Sequence, residues 1–311
     1  MRALEQIILQ TIRDNKLFGI NEDVAVAVSG GRDSMALLYA MHATKALHGG
    51  VLSVLSVDHG LRESSGQDLE FVKAAAKELE LPFFGISLGL DSGSNLQERA
   101  REARLASLTH HSKGKIALGH HQQDQAETVL YRMLRGSGAS GLSGMSIRRD
   151  SFIRPMLSAS RSMINRYLEY RNIKWREDPG NSDSLRGKIR DLIPQLDLIH
   201  GGAVRALAQS ADLLSVDDTF LESLCVDRYR LLSHGAGLDL SLFLLEPKAL
   251  QRRLLRRLCL LNGAPIRLER IEAFIRGLGN GPKREQLPKG FLLEARSGLI
   301  FIGGLGYENA R

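Results

Sequence analysis

Residues 24–38, VAVAVSGGRDSMALL, constrain this chain more than any other stretch. Five alternating small and β-branched residues, 24–28, predict a strand buried on both faces. The turn Ser29-Gly30-Gly31-Arg32-Asp33-Ser34 follows at once, and 35–46 is an apolar run of good helix formers. A Gly-rich turn between a buried strand and a helix N-terminus suits an anion, because the backbone can approach closely and its unpaired N–H groups and helix dipole favour a phosphate. The turn lacks a Gly-Lys-Ser/Thr ending and a G-x-G-x-x-G pattern, so it is neither a Walker A loop nor the dinucleotide fingerprint. The plainer alternative is an ordinary turn capped by Ser29, Asp33 and Ser34.

The same strand-to-helix rhythm recurs. Residues 51–57 predict a second buried strand ending at Asp58-His59-Gly60-Leu61-Arg62, where open α/β sheets bind ligands; these residues also suit a simple turn. A helical pattern at 67–80, a strand at 82–88 and a helix at 96–110 follow. That helix carries Arg101 and Arg104 on one face, which fits either a solvated surface or a phosphate contact. Residues 115–119 give a fourth strand, and His120-His121-Gln122-Gln123-Asp124-Gln125-Ala126-Glu127-Thr128 opens a helix that stops at Gly136. Asp124 and Glu127, three apart, face the same side of its first turn. They suit Mg²⁺, a nucleophile or the helix dipole. Four such units in series predict an α/β fold with a doubly wound, mostly parallel sheet.

The small residues of 136–144 suit a linker or a mobile substrate loop beside the crevice. A short strand at 152–156 and a helix at 160–171 precede a turn-rich segment, and Pro194 marks the expected boundary between residues 1–196 and 197–311. The second domain reads as mainly helical, with a terminal hairpin at 291–302. It is also basic: residues 247–296 hold 12 Lys and Arg against 4 Glu, so this segment carries +8 of the chain's formal +7 and leaves the rest near neutral. Arg252, Arg253, Arg256 and Arg257 fall at helical spacing on one side, which predicts contact with a nucleic-acid backbone.

Charged content of 25% and hydrophobic content of 43% describe a globular protein. No apolar run approaches a membrane span, and the opening residues read as an amphipathic helix rather than a signal peptide. Cys225 and Cys259 sit far apart in apolar patterns, as buried free thiols of a reducing compartment do. The expected location is cytoplasmic.

The pattern Ser-Gly-Gly-x-Asp-Ser resembles the pyrophosphate loop of ATP pyrophosphatases, which cleave ATP to AMP and pyrophosphate. Together with 57–62, Ala100-Arg101, Arg104, the run 120–145, Arg154-Pro155, Arg161, Trp175, Asp178, Asn181, Asp183, Arg186 and Arg190, it resembles the bacterial tRNA(Ile)-lysidine synthases over about 24–196. The chain departs from that family's pattern at Gly187 and Leu105 and resembles its shorter members.

The resemblance implies an adenine nucleotide alpha-hydrolase-like sheet, ATP and Mg²⁺ as cofactors, and isoleucine tRNA with a CAU anticodon and free L-lysine as partners; a homodimer is left open. It implies that Ser29, Gly30, Gly31, Arg32, Asp33 and Ser34 hold the phosphates, with Asp58 and His59 at the crevice. Asp33, Asp124 and Glu127 would bind Mg²⁺ or the lysine ammonium, Glu127 would also take its proton, and Arg101 would steady the α-phosphate or the adenylated base. The expected product is lysidine, made through an adenylated tRNA. Another loop-sharing enzyme, such as a tRNA thiolase, and an inactive RNA-binding protein are the alternatives; the missing C-x-x-C speaks against an iron–sulfur thiolase.

Overall fold

Alternate residues of the first strand face opposite sides of a sheet, and both sides are covered. A computed structural model describes residues 1–58, 65–88, 96–177, 185–278 and 281–304. It divides into two compact units, Met1–Ser215 and Val216–Arg311.

In the first unit, α1 (Ala3–Asp14) precedes β1 (Asp23–Ala27), α2 (Arg32–Ala43), the short α3 (Lys45–His48) and β2 (Val51–Asp58). Then come α4 (Ser65–Glu78), β3 (Phe83–Ser87), α5 (Leu96–His111), β4 (Lys115–Ala117) and α6 (Gln122–Met133). The series ends with α7 (Ala139–Leu142), β5 (Arg148–Arg149), β6 (Phe152–Ile153), α8 (Arg161–Arg171), α9 (Leu185–Ile199) and the start of α10 (Ala203–Leu232). The six strands lie in the order β3-β2-β1-β4-β6-β5. All pairs are parallel except β5 with β6.

Val24 and Val26 of β1, with Leu52 and Val54 of β2, pack in one core with residues of α1, α2, α4 and α8. Ala25, Ala27 and Leu55 pack in another with Leu108 of α5. This is the doubly wound arrangement expected. The chain leaves β1 for β2 on one side and reaches β4 only later on the other. The carboxyl ends of β1 and β4 therefore bound the crevice where such sheets bind ligands.

The second unit holds the rest of α10, with β7 (Ser233–His234), β8 (Gly237–Asp239), α11 (Leu240–Leu245), α12 (Lys248–Leu261) and α13 (Leu268–Arg276). It closes with β9 (Lys283–Gln286), β10 (Phe291–Arg296) and β11 (Leu299–Gly304). The expected hairpin is present as β10 and β11, but it belongs to a five-stranded antiparallel sheet ordered β7-β8-β11-β10-β9. This sheet shares a core with the buried faces of α12 and α13. Cys225 and Cys259 are free and buried in that core, and burial pushes their thiols up to about 11 and about 12.

Pro194 lies inside α9, and by their contacts the two compact units divide within α10, after Ser215. One reading of the sequence is corrected here. The arginines of α12 do not share one solvent face. Arg252 and Arg256 are exposed, whereas Arg253 and Arg257 turn inward. Arg253 pairs with Asp218 at 2.6 Å and Glu222 at 2.5 Å, Arg252 pairs with Glu272, and Arg257 lies over the Tyr229 ring.

Candidate functional site

The turn after β1 is built by two glycines. Gly30 has φ +80°, a left-handed conformation that favours glycine, and Gly31 serves as N-cap of α2. Ser34 ties the turn together, its hydroxyl donating to the Gly31 carbonyl at 2.9 Å and accepting from the Ser29 N–H at 3.2 Å. The first N–H groups of α2 thus stand at the carboxyl end of the sheet without helical partners. Gly119, just past β4, comes so close that a Cβ there would lie 3.1 Å from the Ser34 nitrogen. A distant segment completes the turn: the Arg176 N–H donates to the Gly30 carbonyl at 2.9 Å, and its guanidinium pairs with Asp68 at 2.7 Å.

Between these elements lies a cavity of about 740 Å³. Ser29, Gly31, Arg32, Asp33, Ser34, Gly119, Asp124 and Trp175 line it, together with Arg104, Arg154, Arg161, Arg176 and Arg190. Six arginines against Asp33, Asp124 and Glu177 make it strongly cationic. Such a lining suits a polyphosphate. Arg32 Nε and Asp33 Oδ1, 3.8 Å apart, are both buried without a hydrogen-bond partner. Buried polar atoms are normally satisfied, so this pair is prepared for something that enters.

His121 anchors the acidic side and is fully buried. As N-cap of α6 its Nδ1 accepts the Gln123 N–H at 3.2 Å. Nε2 faces Asp33 at 3.5 Å and Asp124 at 3.6 Å. Asp124 also accepts the His121 N–H at 2.9 Å. Burial opposes ionisation of Asp33, but the hydrogen bond and charge of His121, with Arg161 and Arg32, outweigh it and hold the carboxyl below its ordinary range.

Glu127 is the opposite case. Burial and the neighbouring Asp124 push its pKa up, against the pull of Arg190, whose Nε lies 3.6 Å away. Gln123 bridges this part of the site, donating to Glu127 at 3.1 Å and accepting from Arg161 at 2.9 Å.

Of the residues expected from the sequence, Ser29 to Ser34 and Asp124 are brought to one site, and Glu127 borders it through Arg190. Asp58 ends β2 and is not among the cavity's described lining. Arg101 lies on α5, its side chain outside what is described, and His59, Arg62, Asp178, Asn181 and Asp183 lie outside the described residues. Gln123 and the central place of His121 were missed, because only the contacts with Asp33 and Arg161 reveal them. The loop 136–144 is tied down: Arg132 donates to the carbonyls of Gly141 and Gly144 at 2.7 and 2.6 Å, and Gln125 exchanges hydrogen bonds with the Met145 backbone.

Residues 3–196 match the family model described as PP-loop domain. The tRNA(Ile)-lysidine synthase of Solibacter usitatus is 41% identical to this chain, over 66% of the chain and 48% of that protein. That of Symbiobacterium thermophilum is 38% identical, over 75% and 54%, and that of Thermobifida fusca 34% identical, over 78% of each. The chain thus spans about half the length of the first two. Among solved structures, a U34-tRNA thiolase from Methanococcus maripaludis superposes with a TM-score of 0.57 at 19% identity, over 68% of this chain and 78% of that one, a likeness of fold. A family match over most of the first unit, and a relative covered over more than three quarters of its length, agree with the loop, the sheet order and the cationic cavity: the chain belongs to the tRNA(Ile)-lysidine synthase family of PP-loop proteins.

Proposed function

We propose that the chain joins free L-lysine to carbon 2 of the wobble cytidine in isoleucine tRNA with a CAU anticodon, using ATP. One observation carries this reading. A cationic cavity able to take a nucleotide polyphosphate adjoins a buried carboxylate, Glu127, that is biased toward holding a proton.

In the first step the cytidine carbonyl oxygen attacks the α-phosphorus of ATP. An O–P bond forms and pyrophosphate leaves. In the second, the lysine amine adds at carbon 2, the C–O bond to the adenylate breaks, AMP leaves with that oxygen, and the amine releases a proton. Catalysis of this kind rests on position and charge. The N–H groups and hydroxyls of Ser29 to Ser34 hold the β- and γ-phosphates, and Arg101 steadies the α-phosphate. Asp58 and His59 border the nucleotide. Asp124 attracts the lysine ammonium, and Glu127 takes the proton released on attack. A carboxylate with a raised pKa is the better base for that transfer.

Mg²⁺ fits the acids present. The buried, unpartnered Asp33 Oδ1 is a free acceptor, and Asp124 lines the same cavity. Among the described residues no three acids or histidines gather into a cage, but Mg²⁺ bound with phosphates takes only one or two carboxylates from a protein. Asp33 and Asp124 would hold it, with Glu127 nearby, and it would neutralise phosphate charge.

Incubation with ATP, labelled lysine and mixed tRNA tests the reading. Label is expected in one nucleotide of one isoleucine tRNA, with AMP and pyrophosphate as products. Release of ADP and phosphate, or label on no tRNA, overturns it.

A further inference from the structure

Helices α6 and α9 meet through two rungs, each one helical turn from the other. The first is Glu127 with Arg190, at the edge of the catalytic cavity. The second is Tyr131 with Arg186, whose guanidinium carbon stands 5.6 Å from the ring centroid. Tyr131 follows Glu127 by four residues on α6, and Arg190 follows Arg186 by four on α9. The two rungs therefore share a face, about 6 Å apart along the axis.

A second cation serves the same ring. Arg135 lies 5.4 Å from its centroid and donates to the phenol oxygen at 2.6 Å. Both arginines are exposed, and Tyr131 is half-buried. Met133 and Leu134 beside them are 53% and 67% exposed. Two guanidinium groups on one aromatic ring repel each other, and an anion between them relieves that repulsion. Flat π surfaces, fixed positive charge and exposed apolar side chains together make the combination that takes unstacked bases and their phosphates from single-stranded nucleic acid.

We infer that Tyr131, with Arg135 and Arg186, forms a stacking platform for the nucleotide next to the reacting one. The inference rests on the proposed action on an RNA loop and adds where the neighbouring base goes. The first rung faces the reacting base, and the second, one turn away, takes its neighbour. The loop 136–144, which follows Arg135 in the chain, is pinned by Arg132 and Gln125.

Tyr131→Leu keeps bulk while removing the π face, and Tyr131→Phe keeps the face. The full chain and these variants are titrated with a short CAU anticodon stem–loop at three salt concentrations, and their melting is recorded. Tyr131→Leu is expected to weaken binding about tenfold with an unchanged salt slope, because stacking releases no counterions. Tyr131→Phe should restore binding. Arg186→Gln should flatten the slope of log affinity against log salt by roughly 0.7, one phosphate contact on a single strand. An abasic residue beside the wobble cytidine should make wild type and Tyr131→Leu bind alike.

If Tyr131→Leu binds like wild type, whether or not it melts earlier, the second rung is only a brace between α6 and α9 and the platform is refuted. A flattened slope in Tyr131→Leu also refutes it. If the wild type itself ignores the RNA, the proposed function falls, and the platform with it.

Discussion

Glu127 answers to two demands that pull apart. Burial and Asp124 raise its pKa above the ordinary 4.5. The unfolded chain therefore releases this proton at lower pH than the folded one, and ionising Glu127 in the fold costs stability as pH rises from 4.5 through the raised value. Glu127→Gln removes that cost. It is expected to melt at a higher temperature than wild type at pH 7 but not at pH 4, where both forms are largely neutral. The same change should lower lysine transfer by about a hundredfold or more, the usual yield of a positioned base. Melts at the two pH values and a single-turnover assay check this; a variant that is less stable at pH 7, or that still transfers lysine, would show that the acid braces the helix. Asp33 runs the other way. Its lowered pKa contributes stability that is present above 3.8 and is lost as pH falls through the folded value.

At the scale of elements, α12 shows how a charge pattern divides its labour. Arg253 is only 12% exposed and grips two acids of α10. Arg253→Gln leaves Asp218 and Glu222 without it and should cost about 1.5–3 kcal/mol, the range for hydrogen bonds to charged groups. The pair Arg252→Gln and Arg256→Gln should cost less than about 1 kcal/mol, as exposed ion pairs do. Urea unfolding of the three proteins checks the ranking; equal midpoints would mean that Arg253 is as dispensable as a surface residue. None of this was legible in the helical spacing, because Asp218 and Glu222 lie more than thirty positions away. Spacing did locate the loop at Ser29 to Ser34 and the acid pair Asp124 and Glu127, since strand, turn and first helical turn are local. Strands β7 and β9 escaped notice for a similar reason. The first is two residues long, the second reads Lys-Arg-Glu-Gln, and only their neighbours in the sheet make them strands.

Among the described residues the first unit keeps a core on each face of its sheet and the second unit one of its own, with a surplus of positive charge over the chain. One long-range link inside the first unit, from Arg176 to Gly30, bears directly on the nucleotide loop. Arg176→Pro removes the donating N–H as well as the guanidinium. In the otherwise intact chain it is expected to bind ATP about tenfold more weakly, as loss of one or two charge-assisted hydrogen bonds predicts; calorimetry giving wild-type affinity would show that the turn after β1 holds its shape unaided. The link also sets a timetable. A ribosome delivers Ser29 to Ser34 well before the strand that flanks them, β4, and the segment that locks them, at Arg176. Contacts so distant in sequence form late. A nascent chain therefore carries its nucleotide loop unfinished until the segment at Arg176 has emerged, and competence to hold ATP arrives only then.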